Sequence, residues 1–282
     1  MKNPAAMPAA IIAAQKAGKV ITEARNEFNR LGLVTKTSRN DLRTDTDIAS
    51  QRHIIKVLKE RTLYRIYAEE SRKNGEYIDP SVPTWIIDPL DGTTNFVMGF
   101  DHVAVAIALM YEGKVELGVV HDVFLGRKFM FDGERSWCTD RSGVMSHLRV
   151  CGDDGLVSRM IAYDTPSSKE RMGVVHSFMT RANQVMHPPR IMGSAAIMLC
   201  FLARGNVGGY VNAQLDDWDV AAALPIVEKA GGVLTDWHGK PWQPHGGHHG
   251  IIAAATPEIH SQLLRIARAA IKETGFDPNQ MK

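Results

Sequence analysis

A run of strand-forming residues, 85–87 (Trp-Ile-Ile), leads straight into two aspartates that flank a proline. Because proline has no N–H to donate, we expect Pro89 to end the strand between Asp88 and Asp91. Residues 92–95 (Gly-Thr-Thr-Asn) are then predicted to form a turn that opens a helix, where free backbone N–H groups attract an anion. Acids beside an anion site indicate a cation, and Mg²⁺ binds carboxylates together with phosphate oxygens. The segment predicts a metal-assisted phosphate site, and the alternative is a strand end with two solvated acids.

The composition is that of an ordinary globular protein with no strongly charged partner. The chain has 282 residues, of which 44% are hydrophobic and 23% charged, and its formal net charge is +2. This length suffices for a large core and predicts two subdomains, and so small a charge does not predict nucleic-acid binding. Three cysteines without paired spacing fit a reducing compartment. With no signal peptide or long apolar run, we expect a cytoplasmic protein that does not use the membrane.

Hydrophobic periodicity predicts an α/β chain in two parts, residues 1–150 and 151–282, with a weakly patterned stretch, 136–155, at the boundary. Strands are predicted at 63–68, 85–87, 103–111, 114–122, 127–131, 160–163, 209–213, 233–237 and 250–255. Helices are predicted at about 8–30, 48–61, 169–181, 193–203, 218–230 and 257–274. The strands 103–131 form an antiparallel meander, and the second part alternates strands with helices.

A second acidic centre, residues 216–219 (Asp-Asp-Trp-Asp), precedes the predicted helix 218–230. One aspartate can cap a helix, but three acids in four residues repel unless a metal or water neutralises them. If Asp219 faces Asp88 and Asp91, these carboxylates and Glu69, at the end of another strand, could hold two or three divalent ions. Such ions polarise a phosphoryl group and stabilise the leaving oxygen. These are the parts required to hydrolyse a phosphate monoester.

Three motifs follow one another along the chain: 68–71 (Ala-Glu-Glu-Ser), 88–96 (Asp-Pro-Leu-Asp-Gly-Thr-Thr-Asn-Phe), and 218–222 (Trp-Asp-Val-Ala-Ala) with Ala-Gly-Gly at 230–232. Together these motifs resemble the inositol monophosphatase family. This group of Mg²⁺-dependent, lithium-sensitive phosphatases includes the bacterial extragenic-suppressor type. The resemblance covers nearly the whole chain. It implies a layered αβαβα sandwich of the inositol monophosphatase and fructose bisphosphatase type, a homodimer, and hydrolysis of a small phosphate monoester.

The resemblance implies a set of metal ligands that overlaps the catalytic residues. Glu69 binds the first metal and helps to position the attacking water, and Asp88 bridges two metals. Leu90 contributes its backbone carbonyl, and Asp91 and Asp219 bind the second metal. The implied cofactor is therefore Mg²⁺, at two or three ions per subunit.

The resemblance also implies the residues around the substrate. Gly92 and Thr93 bind the phosphate through backbone N–H groups, and the Thr93 hydroxyl orients the water. The other implied substrate contacts are Asp91, Gly193, Ser194, Ala195, Asn212 and Asp219. The implied surrounding residues are Thr46, Asp47 and Glu70, and Lys36 on a mobile loop that closes over a further metal.

One position departs from the inositol-specific pattern. Where those members have a glutamate that binds sugar hydroxyls, this chain has Asn212, which carries no charge and offers one acceptor oxygen. Inositol 1-phosphate is the leading substrate, with fructose 1,6-bisphosphate, histidinol phosphate and 3′-phosphoadenosine 5′-phosphate as alternatives. The lysine that nucleotide-processing relatives carry after Gly-Thr is absent, since position 94 is threonine.

Two hypotheses from other classes stay open. A non-enzymatic regulator of RNA processing or transcription would need a basic binding face, of which the charge of +2 gives little sign. A catalytically silent homologue is at odds with the complete set of acidic positions. The histidines His245, His248 and His249 could bind zinc or nickel, but a solvated glycine-rich turn is the favoured interpretation. His102 and His121 are interpreted as residues of the meander rather than as general acids.

Overall fold

The computed structural model describes residues 3–31, 44–73, 76–152, 159–166, 168–244 and 247–279, which divide between two compact units. Unit 1 comprises Met1–His147, Gly193–Ile197 and Trp218–Ile226, and unit 2 comprises Leu148–Met192, Met198–Asp217 and Val227–Lys282. Each unit has its own sheet flanked by helices, so the predicted α/β fold class is confirmed. The expected division at residue 150 stays a prediction, because both units are discontinuous in sequence. No helix in the described ranges has the length and apolar character that a membrane span needs.

Unit 1 begins with two helices, α1 (Ala6–Leu31) and α2 (Asp45–Arg61), which pack against each other. α1 buries a face of small side chains at helical spacing: Ala6, Ala9, Ala10, Ala13, Ala14, Ala17 and Ile21. α2 begins three residues earlier than predicted because Thr44 and Asp47 form a capping box. The Thr44 hydroxyl accepts from Thr46 N at 3.2 Å, and the Asp47 carboxylate accepts from Thr44 N at 2.8 Å. Asp47 is therefore held in the first turn of α2.

The described part of unit 1 has a seven-stranded sheet whose strands lie in sequence order. The strands are β1 (Arg65–Ala68), β2 (Thr84–Asp91), β3 (Ala104–Tyr111), β4 (Lys114–Asp122), β5 (Arg127–Phe131), β6 (Ser136–Thr139) and β7 (Met145–His147). β1 pairs with β2 in parallel, and the other pairs are antiparallel. The predicted meander is confirmed, and β6 and β7 extend it into the stretch that was expected to be the boundary. The short helix α3 (Thr93–Met98) follows β2, as predicted.

The prediction that Pro89 ends the strand is wrong. β2 continues through Pro89 to Asp91, and all eight of its residues are buried. Asp88 pairs with Ala106 and Asp91 with Ala104, so three steps along β2 face two steps along β3. This is one extra residue in β2, a β-bulge. A bulge is one of the few positions in a sheet where a residue without an N–H is tolerated.

Unit 2 has a five-stranded sheet among its described residues, in the order β11-β12-β10-β8-β9. Its strands are β8 (Met160–Tyr163), β9 (His187–Arg190), β10 (Gly209–Leu215), β11 (Val233–Thr235) and β12 (His249–Ala254). The helices of the second half are α4 (Lys169–Ala182), α5 (Ala195–Ala203), α6 (Asp217–Val220), α7 (Leu224–Lys229) and α8 (Pro257–Thr274). The predicted bounds of α8 are confirmed, with Thr256 as its N-cap.

The prediction of one helix over 218–230 is wrong, because two short helices, α6 and α7, occupy this stretch. Pro225 is the second residue of α7. A proline inside a continuous helix would lose a hydrogen bond and collide with the carbonyl four residues earlier, whereas the first turn tolerates it. The chain therefore makes a turn after α6 and starts α7 anew at Leu224.

Candidate metal and phosphate site

Three carboxylates of unit 1 converge at the bulge in β2. One carboxylate oxygen from each of Asp88, Asp91 and Asp219 lies within 4.8 Å of the other two. Asp88 is 2% exposed and Asp91 is 9% exposed. Side chains three residues apart on a regular strand point to opposite faces of the sheet. The extra residue in β2 therefore brings Asp88 and Asp91 into the same cluster.

Glu69 joins the cluster because of the parallel pairing of β1 and β2. Ala68 lies beside Ile87 in that pairing, so the next residues along the two strands are Glu69 and Asp88. The carboxyl groups of Glu69 and Asp88 are close enough that each perturbs the pKa of the other. Glu69 therefore follows the end of β1 beside Asp88 of β2, and its role as a metal ligand stays a prediction.

The pKa values of both carboxyl groups are raised by their surroundings. Burial raises the pKa of Glu69 well above its usual value, and the charges of Asp219 and other nearby carboxylates raise it further. Burial raises the pKa of Asp88 in the same direction, with added repulsion from Glu69 and Asp91. A hydrogen bond of 2.9 Å from Leu90 N to Asp88 Oδ1 opposes this shift without cancelling it.

The donor set fits a hard divalent cation. Several carboxylates buried together are costly unless a cation shares them, and oxygen ligands are those that Mg²⁺ prefers. The Leu90 carbonyl oxygen lies 3.2 Å from the Thr93 hydroxyl oxygen, whose hydrogen is given to Asp47 Oδ1 at 3.0 Å, so the carbonyl has lone pairs for a further partner. Four carboxylates and this carbonyl, with no sulfur donor, favour Mg²⁺ over a soft metal.

Asp91 is oriented by the start of α5. Its Oδ2 accepts from the Ser194 hydroxyl at 2.5 Å and from Ala196 N at 2.9 Å. Ser194 is 1% exposed, and it was predicted as a substrate contact from the resemblance. The geometry gives it a different, observed role, because it fixes the orientation of a carboxylate in the cluster. The predicted substrate contacts of Gly193, Ser194 and Ala195 stay predictions.

A second pair of residues could align a water molecule. The Thr93 hydroxyl donates to Asp47 Oδ1 at 3.0 Å, and the other oxygen of Asp47 accepts from the backbone and hydroxyl of Thr44. Burial raises the pKa of Asp47, and these hydrogen bonds oppose that rise. A hydroxyl whose hydrogen is engaged presents its lone pairs to a further donor. Thr93 can therefore accept a hydrogen bond from a water beside the carboxylate cluster.

Asp219 is placed by its neighbour in the chain. The Trp218 ring contacts the ring of Tyr67, at 5.6 Å between centroids, and the guanidinium of Arg72, at 5.3 Å from the Trp218 centroid. A Cβ at Gly118 would lie 2.2 Å from a backbone oxygen in the turn after α6. Glycine at this position of β4 therefore lets the turn approach the sheet. Sequence reasoning missed Tyr67, Arg72 and Gly118, since none lies in a motif.

The remaining predicted residues have mixed outcomes. Thr46 is buried in the first turn of α2, and Glu70 donates through its backbone N–H to Gln51 Oε1 at 2.9 Å. Lys36 lies outside the described residues. Asn212 is 4% exposed in β10 of unit 2, where it accepts from Gln214 N at 2.8 Å and donates to the Tyr210 hydroxyl at 3.1 Å. Its contact with substrate stays a prediction.

The histidines have neighbours of their own. His248 Nδ1 lies 3.2 Å from Asp216 Oδ2, whereas His245 lies outside the described residues. His121 is buried in β4 against α1, with its Nδ1 3.0 Å from the Ala14 carbonyl, as expected for a residue of the meander. Within the described ranges, no histidine belongs to a group of three metal-binding side chains.

Known proteins resemble this chain along nearly its whole length. The sequence profile of the inositol monophosphatase family matches residues 5–272. Nus factor SuhB of Pasteurella multocida (strain Pm70) is 37% identical over 258 residues, which cover 90% of this chain and 92% of that protein. Inositol monophosphatase 1 of Rattus norvegicus is 35% identical over 246 residues, covering 84% and 85%. The crystal structure of extragenic suppressor protein suhB from Bartonella henselae matches with a TM-score of 0.79 at 27% identity, covering 93% of this chain and 97% of that one.

The profile match and the close relatives agree with the chemistry of the cluster. The family is metal-dependent, typically with Mg²⁺, and acts on small phosphate monoesters. The carboxylates at the bulge could hold such a metal. This chain belongs to the inositol monophosphatase family, and its activity is that of a phosphatase.

Proposed function

We propose that this protein uses Mg²⁺ to hydrolyse a small phosphate monoester and that inositol 1-phosphate is its leading substrate. One observation carries the proposal: Asp88, Asp91 and Asp219 converge within 4.8 Å in the same unit as the Thr93–Asp47 hydrogen bond of 3.0 Å. Hydrolysis of a phosphate ester requires neutralisation of the phosphoryl charge and a water aligned for attack. The two groups of residues meet these two requirements.

The carboxylates have the first task. In the proposal, Glu69, Asp88, Asp91 and Asp219, with the Leu90 carbonyl, hold two or three Mg²⁺ ions. Bound divalent ions supply positive charge to the phosphoryl and leaving oxygens and lower the pKa of a coordinated water. Because burial raises the pKa values of Glu69 and Asp88, binding of the ions is expected to release protons.

Thr93 and the start of α3 have the second task. The Thr93 hydroxyl gives its hydrogen to Asp47 and so accepts a hydrogen bond from the attacking water, which fixes the direction of the water's lone pair. The first N–H groups of a helix have no partner within it, and in the proposal those of Gly92 and Thr93 bind the phosphate oxygens. Gly92 has φ of 93°, a conformation that glycine adopts without strain.

The choice of substrate is the finer part of the proposal. Inositol 1-phosphate is supported by the relative from Rattus norvegicus that is named inositol monophosphatase 1. Asn212, which stands in place of a glutamate of the inositol-specific members, is the residue by which the choice can be tested. Asn212→Glu is expected to raise activity toward inositol 1-phosphate relative to the other three substrates, with Asn212→Asp as the shorter control.

Phosphate release from inositol 1-phosphate, fructose 1,6-bisphosphate, histidinol phosphate and 3′-phosphoadenosine 5′-phosphate tests the proposal. Each reaction is run with Mg²⁺, with a chelator, and with lithium added. We expect release that requires Mg²⁺, falls with lithium, and is lost in Asp88→Asn. The control is Asp140→Asn, which changes an exposed turn aspartate of the same unit. Absence of release from all four substrates by folded protein with Mg²⁺ would contradict the phosphatase proposal.

A second candidate function follows from the relative named Nus factor SuhB, which is 37% identical. In that case the chain would act as a regulatory partner in transcription or RNA processing, with or without hydrolysis. Binding to transcription complexes that is retained in Asp88→Asn would favour this function, because the substitution removes the catalytic carboxylate. We also propose a homodimer, as the resemblance implies, and sedimentation equilibrium of the full chain tests it.

A further inference from the structure

Arg25 of α1 is a buried cation that the proposed chemistry does not use. The residue is 6% exposed, and its Cζ lies 5.0 Å from the ring centroid of Phe96 and 4.5 Å from that of Phe124. Burial lowers the pKa of Arg25, and the charge of Asp101 opposes this shift. A guanidinium in contact with two aromatic rings is held in position by cation–π attraction to each of them.

The same guanidinium holds the chain that follows α3. Its Nη2 donates to the Phe100 carbonyl at 3.0 Å, and its Nη1 lies 3.7 Å from Asp101 Oδ1. Phe100 N in turn donates back to the Asn95 carbonyl at 2.9 Å, which closes the C-terminal end of α3. Arg25 therefore fixes the segment by which α3 ends.

α3 depends on contacts from outside the helix. It has six residues, and Phe96 is its buried side chain. Helices this short are not stable in isolation, since too few hydrogen bonds form for the residues that are ordered. Phe96 lies under the guanidinium of Arg25, and its N–H closes the first turn on the Gly92 carbonyl at 2.9 Å. Arg25 thus holds both the middle of α3 and the chain beyond its end.

The segment held by Arg25 also reaches the start of α3. The His102 carbonyl, next to Asp101, accepts from Asn95 Nδ2 at 2.8 Å. A Cβ added to Gly92 would lie 2.7 Å from the same His102 oxygen. The position of residues 100–102 therefore sets the position of Gly92, and Thr93 follows directly in the chain.

We propose that Arg25 is a positioning residue, which holds α3 and residues 99–102 so that Gly92 and Thr93 meet the phosphate of the substrate. The inference rests on the proposed function for its substrate. No described contact joins Arg25 to the carboxylate cluster, so its loss affects turnover and phosphate binding and leaves Mg²⁺ binding unchanged.

Three variants separate this role from a general contribution to stability. Arg25→Met removes the cation and its donors while keeping a long apolar side chain, and Arg25→Lys keeps the charge without the planar fork. Arg127→Met is the matched control in the same unit. Arg127 also lies near a ring, at 5.9 Å from Phe129, and its ion pair at 2.6 Å joins it to Asp122 of β4.

For Arg25→Met we expect kcat to fall by roughly tenfold or more, since a displacement of about 1 Å at a reacting group can cost about a hundredfold. Inorganic phosphate, measured by calorimetry with Mg²⁺ present, is expected to bind several times more weakly. Mg²⁺ binding without phosphate stays unchanged, and hydrogen exchange rises in residues 92–102 and not in α2. Arg25→Lys gives intermediate values. Arg127→Met lowers thermal stability and leaves kcat and the exchange of residues 92–102 unchanged.

Two results would overturn the inference. One is wild-type turnover, phosphate binding and exchange in Arg25→Met. The other is a rise in exchange throughout unit 1 together with weaker Mg²⁺ binding, which would mean a general structural role. If the wild type itself hydrolyses none of the four substrates, the proposed function fails, and the exchange and phosphate-binding measurements still decide whether Arg25 positions α3.

Discussion

Replacing Asp88 by asparagine is expected to stabilise the protein without metal and to abolish its stabilisation by Mg²⁺. Asp88 is 2% exposed, and Glu69 and Asp91 raise its pKa together with burial. Asparagine has nearly the same shape, so its Oδ1 can accept from Leu90 N, which now donates to Asp88 at 2.9 Å. Its Nδ2 can donate to the Glu69 carboxylate. The substitution therefore replaces a repulsion by a hydrogen bond.

The size of the effect follows from the spacing of the carboxylates. One oxygen from each of Asp88, Asp91 and Asp219 lies at most 4.8 Å from the other two. At this distance two unit charges repel by about 3.5 kcal/mol at an effective dielectric constant of about 20. Protonation relieves part of this energy, so we expect metal-free Asp88→Asn to be more stable than wild type by about 1 to 2 kcal/mol at pH 8. Mg²⁺ at a hundredfold excess over its dissociation constant should stabilise wild type by about 2.7 kcal/mol. The variant should not gain this stability, because it lacks the Asp88 carboxylate that would bind the metal.

The assay is thermal and urea unfolding at pH 5.5 and pH 8, with a chelator or with Mg²⁺. The folded state raises the pKa values of Glu69 and Asp88, so between the ordinary and the raised pKa it binds more protons than the unfolded state. Metal-free wild type therefore loses stability as the pH rises above the ordinary carboxyl range, and Asp88→Asn loses less. Mg²⁺ should reduce this pH dependence in wild type.

The control is Asp122→Asn, at the end of β4 in the same sheet. Asp122 is 1% exposed and pairs with Arg127 at 2.6 Å. Removing one partner of a buried charge pair destabilises by about 3 to 5 kcal/mol, so the two substitutions have opposite signs. A metal-free Asp88→Asn protein less stable than wild type at pH 8, or one that still gains stability from Mg²⁺, would refute the reasoning.

Three further substitutions test other parts of the site. Thr93→Val should lower kcat by roughly a hundredfold, because it removes the hydroxyl that contacts Asp47, while calorimetry should show unchanged Mg²⁺ binding. Activity retained in Thr93→Val would exclude the proposed role of Thr93 in orienting the water. Ser194→Ala should weaken Mg²⁺ binding by about tenfold, since it removes one of the donors to a cluster carboxylate, whereas Ser194→Thr should bind normally. Gly92→Ala should abolish activity, because its φ is 93° and its Cβ would meet a backbone oxygen at 2.7 Å. Gly99→Ala, with φ of 87° and nothing within 4 Å of its Cβ, measures the cost of the backbone conformation alone, and equal losses in the two alanine variants would contradict the steric argument.

Signals between residues close in sequence predicted most of the elements. The strand β5 and the helix α8 have the predicted bounds, because hairpin turns and the Thr256–Pro257 start act within a few residues. The start of α2 lies three residues before the predicted one, since Asp45 to Asp47 already belong to its first turn. Pro225 was a local signal for a break in the helix 218–230 that the apolar pattern hid.

The residues that hold the site in place could not be predicted from their neighbours in sequence. Arg25 donates to the Phe100 carbonyl across 75 residues of sequence, and Gly118 admits a turn that lies more than a hundred residues later. A lone arginine in a helix or a lone glycine in a strand has many explanations when only neighbours in sequence are considered. Motifs identify side chains that carry the chemistry, whereas the residues that hold these side chains in place are set by packing between distant elements.

The β-bulge decides whether a spacing of three residues can make a metal site on a strand. Without the extra residue, Asp88 and Asp91 would point to opposite faces of the sheet, and only one could meet Asp219. A spacing of two would bring both to one face of a regular strand. The observed spacing of three therefore requires the shift in pairing between Ala106 and Ala104. Pro89 fits this requirement, because a residue that lacks an N–H costs no ladder hydrogen bond where the ladder is already interrupted. The proline that was expected to end the strand is thus compatible with the distortion that brings the two carboxylates together.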